Sequence, residues 1–373
     1  MRTQERIASL DVIRGFAIFG IFFVNWPTMV GVETLEQERG YIGLDAYTRC
    51  FYDLFIQTKF YTIFSILFGL SFTIFMKKAK EKGNDAPLVY IRRLVALFIF
   101  GALHYILFWS GDILHSYALF GLVLLLYIHR STKTILVTAI TMQCLFILFT
   151  MLTLFIPLEN TMVTAMPIPS FQWLYVSTRF YKFFGENMTS NLVYLPEIAG
   201  LFLIGLYIGK KDVLRRVSHY KRPLQIIQMV ALLCTLPSWY YILSYFNNHT
   251  IYYSATVYPF VSFSGKTLCL FYIITLLRLM EHKAWQRLLH PFQFVGRMAL
   301  SNYIGQTLVT QFLFSGFFSS RTLPLSIGVP YCFLVFILQV FFSKWWLSHF
   351  SYGPLEYIWR WGTYGRKKQP SLI

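Results

Sequence analysis

Charge is scarce in this 373-residue chain, and acidic charge is scarcest. Only 13% of its residues are Asp, Glu, Lys or Arg, with 16 acidic against 33 basic. An ordinary water-soluble domain carries about 25% charged residues, so this shortage excludes a solvated surface over most of the chain. Cysteine is sparse too. Cys50, Cys144, Cys234, Cys269 and Cys332 show no CxxC or CxxH spacing, and four of them lie inside apolar runs, where a thiol serves as a small hydrophobe. Neither a disulfide framework nor a metal site is indicated. The first apolar run, VIRGFAIFGIFFVNW, follows Arg2 and Arg6 but has no small-residue cleavage pattern, so it is expected to stay as a first helix. No period of about 20–50 residues repeats, and no inverted duplication is evident.

What the chain has instead is apolar length: 56% of residues are hydrophobic and 19% aromatic, more than one water-soluble core can bury. Crossing a bilayer takes about 20 mainly apolar residues in a helix. Ten segments qualify, near 12–30, 55–76, 94–109, 112–128, 134–156, 192–209, 225–246, 257–279, 298–317 and 327–347. The expected fold is therefore an all-α polytopic membrane protein with about ten transmembrane helices. The formal charge of +17 sits in short patches between the apolar runs, which suits topology signals and lipid headgroups rather than a nucleic-acid partner. On the ten-span reading 26 of the 33 basic residues fall on the N-terminal side of the membrane, which places both termini in the cytoplasm. Opposite loops include VETLEQERGYIGLD, which is net acidic, and NNHTIYYSAT, which has no Lys or Arg. The chain reads as one membrane domain over 1–373, with halves at 1–156 and 192–365. An outer connecting segment at 157–191, containing PIPSF and STRFYKFFGENMTSN, is expected to hold a short interfacial helix.

A charge at the middle of a spanning helix costs about 2.5–3.5 kcal/mol, so each one needs a partner, a wet cavity or a task. In RRLVALFIFGALHYILFWSGDILHSYALFG, His104, Asp112 and His115 gather around the joint of two spans. Imidazole can act as a base near neutral pH when a carboxylate fixes its tautomer. The plainer reading is a helix-bridging histidine and an aspartate that caps a helix. Asn25 in FFVNWP offers an amide to an oxyanion or to a neighbouring helix, and Lys59 either snorkels to the interface or faces the same cavity. Toward the cytoplasm lie Asp11 and Arg14, spaced to pair on one helix face, then Arg92, Arg93, Arg297 and Asn302. Those arginines suit phosphate recognition and also the flanking charge that topology demands. Glu197 and Lys266, inside separate spans, are candidates to pair with each other.

Five motifs together, LDVIRGFAIFGIFFVN, KFYTIFSILFGLSF, the RRLVALF to ALFG stretch, VGRMALSNYIGQT and FSYGPLEYIWRWGTYG, resemble the YeiB family of bacterial membrane proteins. That family carries domain of unknown function 418 in its C-terminal half. Its N-terminal pattern is similar to heparan-α-glucosaminide N-acetyltransferase and, more distantly, to the acyltransferase-3 membrane enzymes. The resemblance implies a bacterial inner-membrane protein that takes an acyl group from cytoplasmic acyl-CoA, such as acetyl-CoA, to a sugar or other small acceptor. By position it implies roles for Asp11, Arg14 and Asn25. The glucosaminide enzyme uses a histidine in the outer segment, whereas residues 26–58 here contain none. His104, oriented by Asp112, is then the expected base, with Asn25 at the oxyanion and Asp11, Arg14, Arg92, Arg93 and Arg297 at the acyl-CoA. Lys59, His115, Glu197 and Lys266 are expected around the substrate, and no metal is expected. The competing expectation is a small-molecule transporter that uses the same polar cavity for its solute.

Overall fold

The computed structural model describes residues 8–32, 39–155, 173–187, 191–215, 217–316 and 323–365. In chain order the helices are α1 (Ala8–Met29), α2 (Gly43–Phe55), α3 (Lys59–Glu81), α4 (Ala86–Leu107), α5 (Leu114–Gly121), α6 (Val123–Leu126) and α7 (Thr132–Leu152). There follow α8 (Trp173–Lys182), α9 (Leu195–Lys210), α10 (Lys221–Asn248), α11 (Ser254–Leu279), α12 (Lys283–Arg297), α13 (Ala299–Gly316), α14 (Gly328–His349) and α15 (Pro354–Tyr364). Among the described residues the extended backbone amounts to one antiparallel bridge between Tyr41 and Tyr252. Among the described residues eight helical stretches, from Ala8–Met29 to Leu325–His349, are long and apolar enough to cross a membrane. The protein is thus an all-α, multi-pass membrane protein.

Two of the ten expected spans look different in three dimensions. Residues 112–128 form α5 and α6, short helices broken at Leu122. The stretch 298–317 is α13, which carries Asn302, Gln306, Thr307 and Thr310 on a buried face, so it is less apolar than its neighbours. The expected span at 55–76 also starts differently. Gln57 and Ile56 both donate their N–H to the Tyr52 carbonyl, and Thr58 adopts a left-handed φ of 67°, so the chain breaks between α2 and α3.

Large apolar side chains stay on the outside. Leu145, Leu148 and Phe149 on α7, Met229 and Leu233 on α10, and Leu338 and Phe341 on α14 are exposed. In lipid these faces meet hydrocarbon, and within each helix interior the backbone N–H and C=O groups are satisfied by the segment itself. The α3 helix lies at the centre, packed along α9 and also against α1, α4 and α11. Close approach of α3 and α9 depends on small residues. A Cβ at Gly69 would sit 1.9 Å from the Phe202 carbonyl oxygen, and one at Gly205 would sit 2.0 Å from that of Ile66. This is the small-residue contact by which membrane helices gain dispersion energy without a hydrophobic drive.

The segment at 157–191 holds one short α-helix among its described residues, α8, while PIPSF lies outside the described residues. The Arg179 side chain of α8 donates to the carbonyls of Ile106, Leu107 and Phe108 at 2.8, 3.0 and 3.4 Å, satisfying the last turn of α4.

Gly205→Leu is predicted to force α3 and α9 apart and to lower the unfolding temperature sharply, since overpacking costs about 1–3 kcal/mol or more. Gly305→Ala, whose new Cβ would meet nothing within 4 Å, serves as the control and should be neutral. Equal behaviour of the two in thermal unfolding followed by size exclusion would contradict this packing.

Candidate functional site

The joint between α4 and α5 builds a polar centre around one carboxylate. Asp112 Oδ2 accepts the Leu114 N–H at 2.9 Å and so holds the first turn of α5, as a residue before a helix does. Its Oδ1 lies 2.8 Å from His104 Nδ1 on α4 and accepts the Tyr303 hydroxyl of α13 at 3.2 Å. His115 Nδ1 stands 3.3 Å from Oδ2. Four groups from three helices thus occupy the acceptor sites of an ionised carboxylate. Gly101 lets the turn come this close, because a Cβ there would fall 2.3 Å from the His115 nitrogen and 2.9 Å from Asp112 Oδ2. His104 turns Nδ1 to the carboxylate, and its Nε2 is buried with no hydrogen-bond partner among the described residues.

A cavity of about 700 Å³ runs through the bundle beside this centre. It follows one face of α1, from Arg14 through Ile18 and Ile21 to Asn25, and one face of α3, from Tyr61 through Phe64 and Phe68 to Ser71. Eleven residues of α1 correspond to a rise of about 16 Å. One end is basic, with Arg14, Arg93, Arg297 and Arg360; the other is lined by Asn25, Gln57, Asp112 and Glu197.

At the basic end, Arg14 Nη1 lies 3.3 Å from Asp11 Oδ1, the expected pair, and Nη2 donates to Ser71 Oγ at 2.5 Å. The Arg93 guanidinium stacks 3.6 Å over the Trp359 ring, and the Trp359 indole N–H donates to the Arg93 carbonyl at 2.9 Å. Glu356 accepts the N–H groups of Leu300 and Ser301 at 2.7 and 3.1 Å, which fastens α15 to the start of α13. Burial pushes the Glu356 carboxyl above its usual range, against the pull of the Ser301 and Leu300 hydrogen bonds.

At the other end, Glu197 pairs with Lys266 and accepts the Tyr61 hydroxyl at 2.5 Å, while Lys266 also donates to Ser262 Oγ at 2.8 Å. The suggested Glu197–Lys266 pairing is therefore present.

The structure changes the placement of several expected site residues. Asn25, Asp112, Arg14, Arg93, Arg297 and Glu197 line the cavity, whereas His104, His115, Lys59, Lys266, Asp11 and Arg92 do not. His104 was expected to face the cavity with Asp112 behind it. The order is reversed, because the turn at Ser110 and Gly111 swings the carboxylate inward while the imidazole stays on α4 behind it. Lys59 neither snorkels nor faces the cavity. It is fully buried and donates to the Asp53 carbonyl at 2.6 Å and to Ser264 Oγ at 3.0 Å, filling the acceptors opened by the α2–α3 break. Arg92 is exposed, and His115 turns its Nε2 to Ser116 Oγ at 3.2 Å. Asn302 bridges the Val295 carbonyl and Ser343 Oγ, a packing role. Sequence reasoning missed Tyr303, Trp359 and Arg360. Their signal lay in VGRMALSNYIGQT and FSYGPLEYIWRWGTYG, where only Arg297 and Asn302 had been singled out.

Residues 208–366 match the family described as "Protein of unknown function (DUF418)". The chain is 31% identical to "Uncharacterized protein YxaH" of Bacillus subtilis, over 97% of this chain and 95% of that protein. The chain belongs to the YeiB/DUF418 family. It is also similar to "Uncharacterized 39.9 kDa protein in amylase 3'region" of Bacillus acidopullulyticus, with 29% identity over 98% of this chain and 95% of the other. "Uncharacterized protein YeiB" of Escherichia coli is 27% identical over 96% of each. In this YeiB/DUF418 chain the matched region spans α10 to α15 and supplies Arg297, Tyr303, Trp359 and Arg360, while α1 and α3 bring the opposite wall.

Removing one partner of a buried pair leaves an unpaired charge and costs about 3–5 kcal/mol. Lys266→Met and Glu197→Gln are each predicted to lower the unfolding temperature, and the double variant to recover most of the loss. Additive losses in that cycle would show that the two groups do not act as a pair.

Proposed function

We propose that this protein is an acyltransferase of the bacterial cytoplasmic membrane, taking acyl groups from acyl-CoA to a small acceptor such as a sugar. The observation that carries the reading is the single cavity with four arginines at one end and Asn25, Gln57, Asp112 and Glu197 at the other. Guanidinium groups suit the phosphates of a nucleotide thioester. A volume of about 700 Å³ is that of one small ligand, so the nucleotide rests at the basic mouth and only its thioester arm enters.

In this reading the acceptor oxygen or nitrogen attacks the thioester carbonyl, the carbon–sulfur bond breaks, and coenzyme A leaves as a thiolate. The acceptor takes the place of the Tyr303 hydroxyl on Asp112 Oδ1 and gives its proton to that oxygen of the Asp112–His104 pair, which returns it to the thiolate. Asp112 is the member in contact with the acceptor, and His104 holds it from behind. The Asn25 amide, at the same end of the cavity, donates to the carbonyl oxygen as negative charge develops there. Gln57 and Tyr61 offer further hydrogen bonds to a polar acceptor.

One observation favours a second reading, transport of a small solute. Glu197 lines the cavity with Lys266 paired behind it, where a carrier would place a coupling or gating pair. A carrier needs no thioester, so acyl-CoA binding separates the two readings.

Purified protein titrated with acetyl-CoA and longer acyl-CoA should show saturable thermal stabilisation, with Arg14→Ala or Arg360→Ala weakening apparent affinity about ten-fold or more. If no thioester stabilises a well-folded sample, the enzyme reading fails and proteoliposome uptake becomes the relevant assay. Asp112→Asn should keep acyl-CoA binding yet lower acceptor-dependent release of free thiol by about 10²–10⁴-fold. Turnover unchanged in that variant would remove Asp112 from the chemistry.

A further inference from the structure

Away from the central cavity, a second hollow of about 260 Å³ opens between the lysine-rich ends of α3 and α9. Its walls are of two kinds. Leu70, Ile74 and Ile208 form an apolar floor, and Lys77, Lys78 and Lys210 form the rim. Along α3 the step from Leu70 to Lys77 is two helical turns, about 10 Å of rise. The polarity of the hollow therefore changes along the direction in which a bilayer changes from hydrocarbon to headgroup.

The rim is a built feature as well as a run of basic residues. Lys210 donates to the carbonyls of Ile128 and Arg130 at 2.8 and 2.9 Å, which pins its ammonium in place. Asp212 also borders the hollow and follows α9 in a left-handed conformation with a φ of 51°, so three ammonium groups stand against one carboxylate. In the wall between floor and rim, the Thr73 hydroxyl is buried and has no hydrogen-bond partner among the described residues. Thr73 packs there against Gly209, where a Cβ would fall 2.4 Å from the hydroxyl oxygen, so the α3 and α9 walls of the hollow meet closely.

From this combination we infer that the hollow binds one membrane phospholipid, with an acyl chain on the Leu70, Ile74 and Ile208 floor and the phosphodiester against Lys77, Lys78 and Lys210. A free phosphate would match the rim but leave the apolar floor unused, and an uncharged lipid would leave the lysines unused. The hollow shares no lining residue with the central cavity, so the inference stands independently of the acyl-transfer reading.

The test uses full-length protein stripped of lipid in a neutral detergent, and thermal unfolding as the readout. Phosphatidylglycerol is added to the micelles at increasing mole fraction. Inorganic phosphate and diacylglycerol form two parallel arms. The variants are Lys77→Gln/Lys78→Gln, Ile74→Trp, which fills the floor without changing charge, and Lys133→Gln, a basic residue outside the hollow. Phosphatidylglycerol should raise the unfolding temperature saturably, and neither phosphate nor diacylglycerol should do so. Half-saturation should move about 10- to 30-fold higher in the double lysine variant, by the attraction of two lysines for an anionic headgroup. It should also rise in Ile74→Trp and stay unchanged in Lys133→Gln. Should the double variant fail to fold, Ile74→Trp alone decides by the same criterion. An equal shift in Lys133→Gln would mean diffuse attraction of basic loops and overturn the site. An equal saturable rise with inorganic phosphate would overturn the lipid as its occupant.

Discussion

A carboxylate carried into an apolar bundle keeps its charge only if its own chain supplies the donors, and much of this structure is arranged around that demand. Asp112 draws on α4, α5 and α13, and Glu197 draws on α3 and α11. Asp53 takes the Arg49 guanidinium at 3.2 Å and the hydroxyls of Tyr252 and Ser254 at 2.9 and 2.7 Å. Glu356 takes two backbone N–H groups at the start of α13. Each centre ties elements that lie far apart in the chain, so satisfying the charges also sets which helices are neighbours.

The same demand shapes the cavity. Hydrocarbon-facing helices such as α7, α10 and α14 can be apolar outward, but α1, α3 and α13 place polar side chains inward, where they meet either each other or the hollow. Close glycine contacts let α3 and α9 pack without side chains between them, and this leaves room on the opposite face of α3. The arginines at one end are held open by neighbours rather than collapsed onto lipid. Arg14 is fixed by Asp11 and Ser71, and Arg93 by the Trp359 face, a contact of about 0.5–2 kcal/mol depending on solvation. A mouth already organised in this way has less to order when an anionic ligand arrives.

The site reads differently from its residues than from its assembly. Pairing of His104 with Asp112, of Arg14 with Asp11 and of Glu197 with Lys266 was open to reasoning because each group is costly at membrane depth and has few partners to choose from. Which member of the first pair faces the cavity was not open, since it depends on a six-residue turn between α4 and α5 whose direction no periodicity records. Tyr303 and Arg360 were missed for a related reason. A tyrosine or arginine near a helix end looks like interface chemistry until a distant helix is seen to deliver it to the same space.

By itself the sequence determined the class of the molecule: long apolar runs with few charges require helices that satisfy their own backbone in lipid. It also determined the family, through motifs distributed along nearly the whole chain. Tertiary structure alone decided that Lys59 is a buried staple instead of a snorkelling charge, that α13 hides a polar face, and that Asp112 looks into a cavity shared with Arg14 and Asn25. The physical reason is that apolarity and charge are properties of single residues and short windows. Facing and depth, by contrast, follow from how helices far apart in the chain pack together.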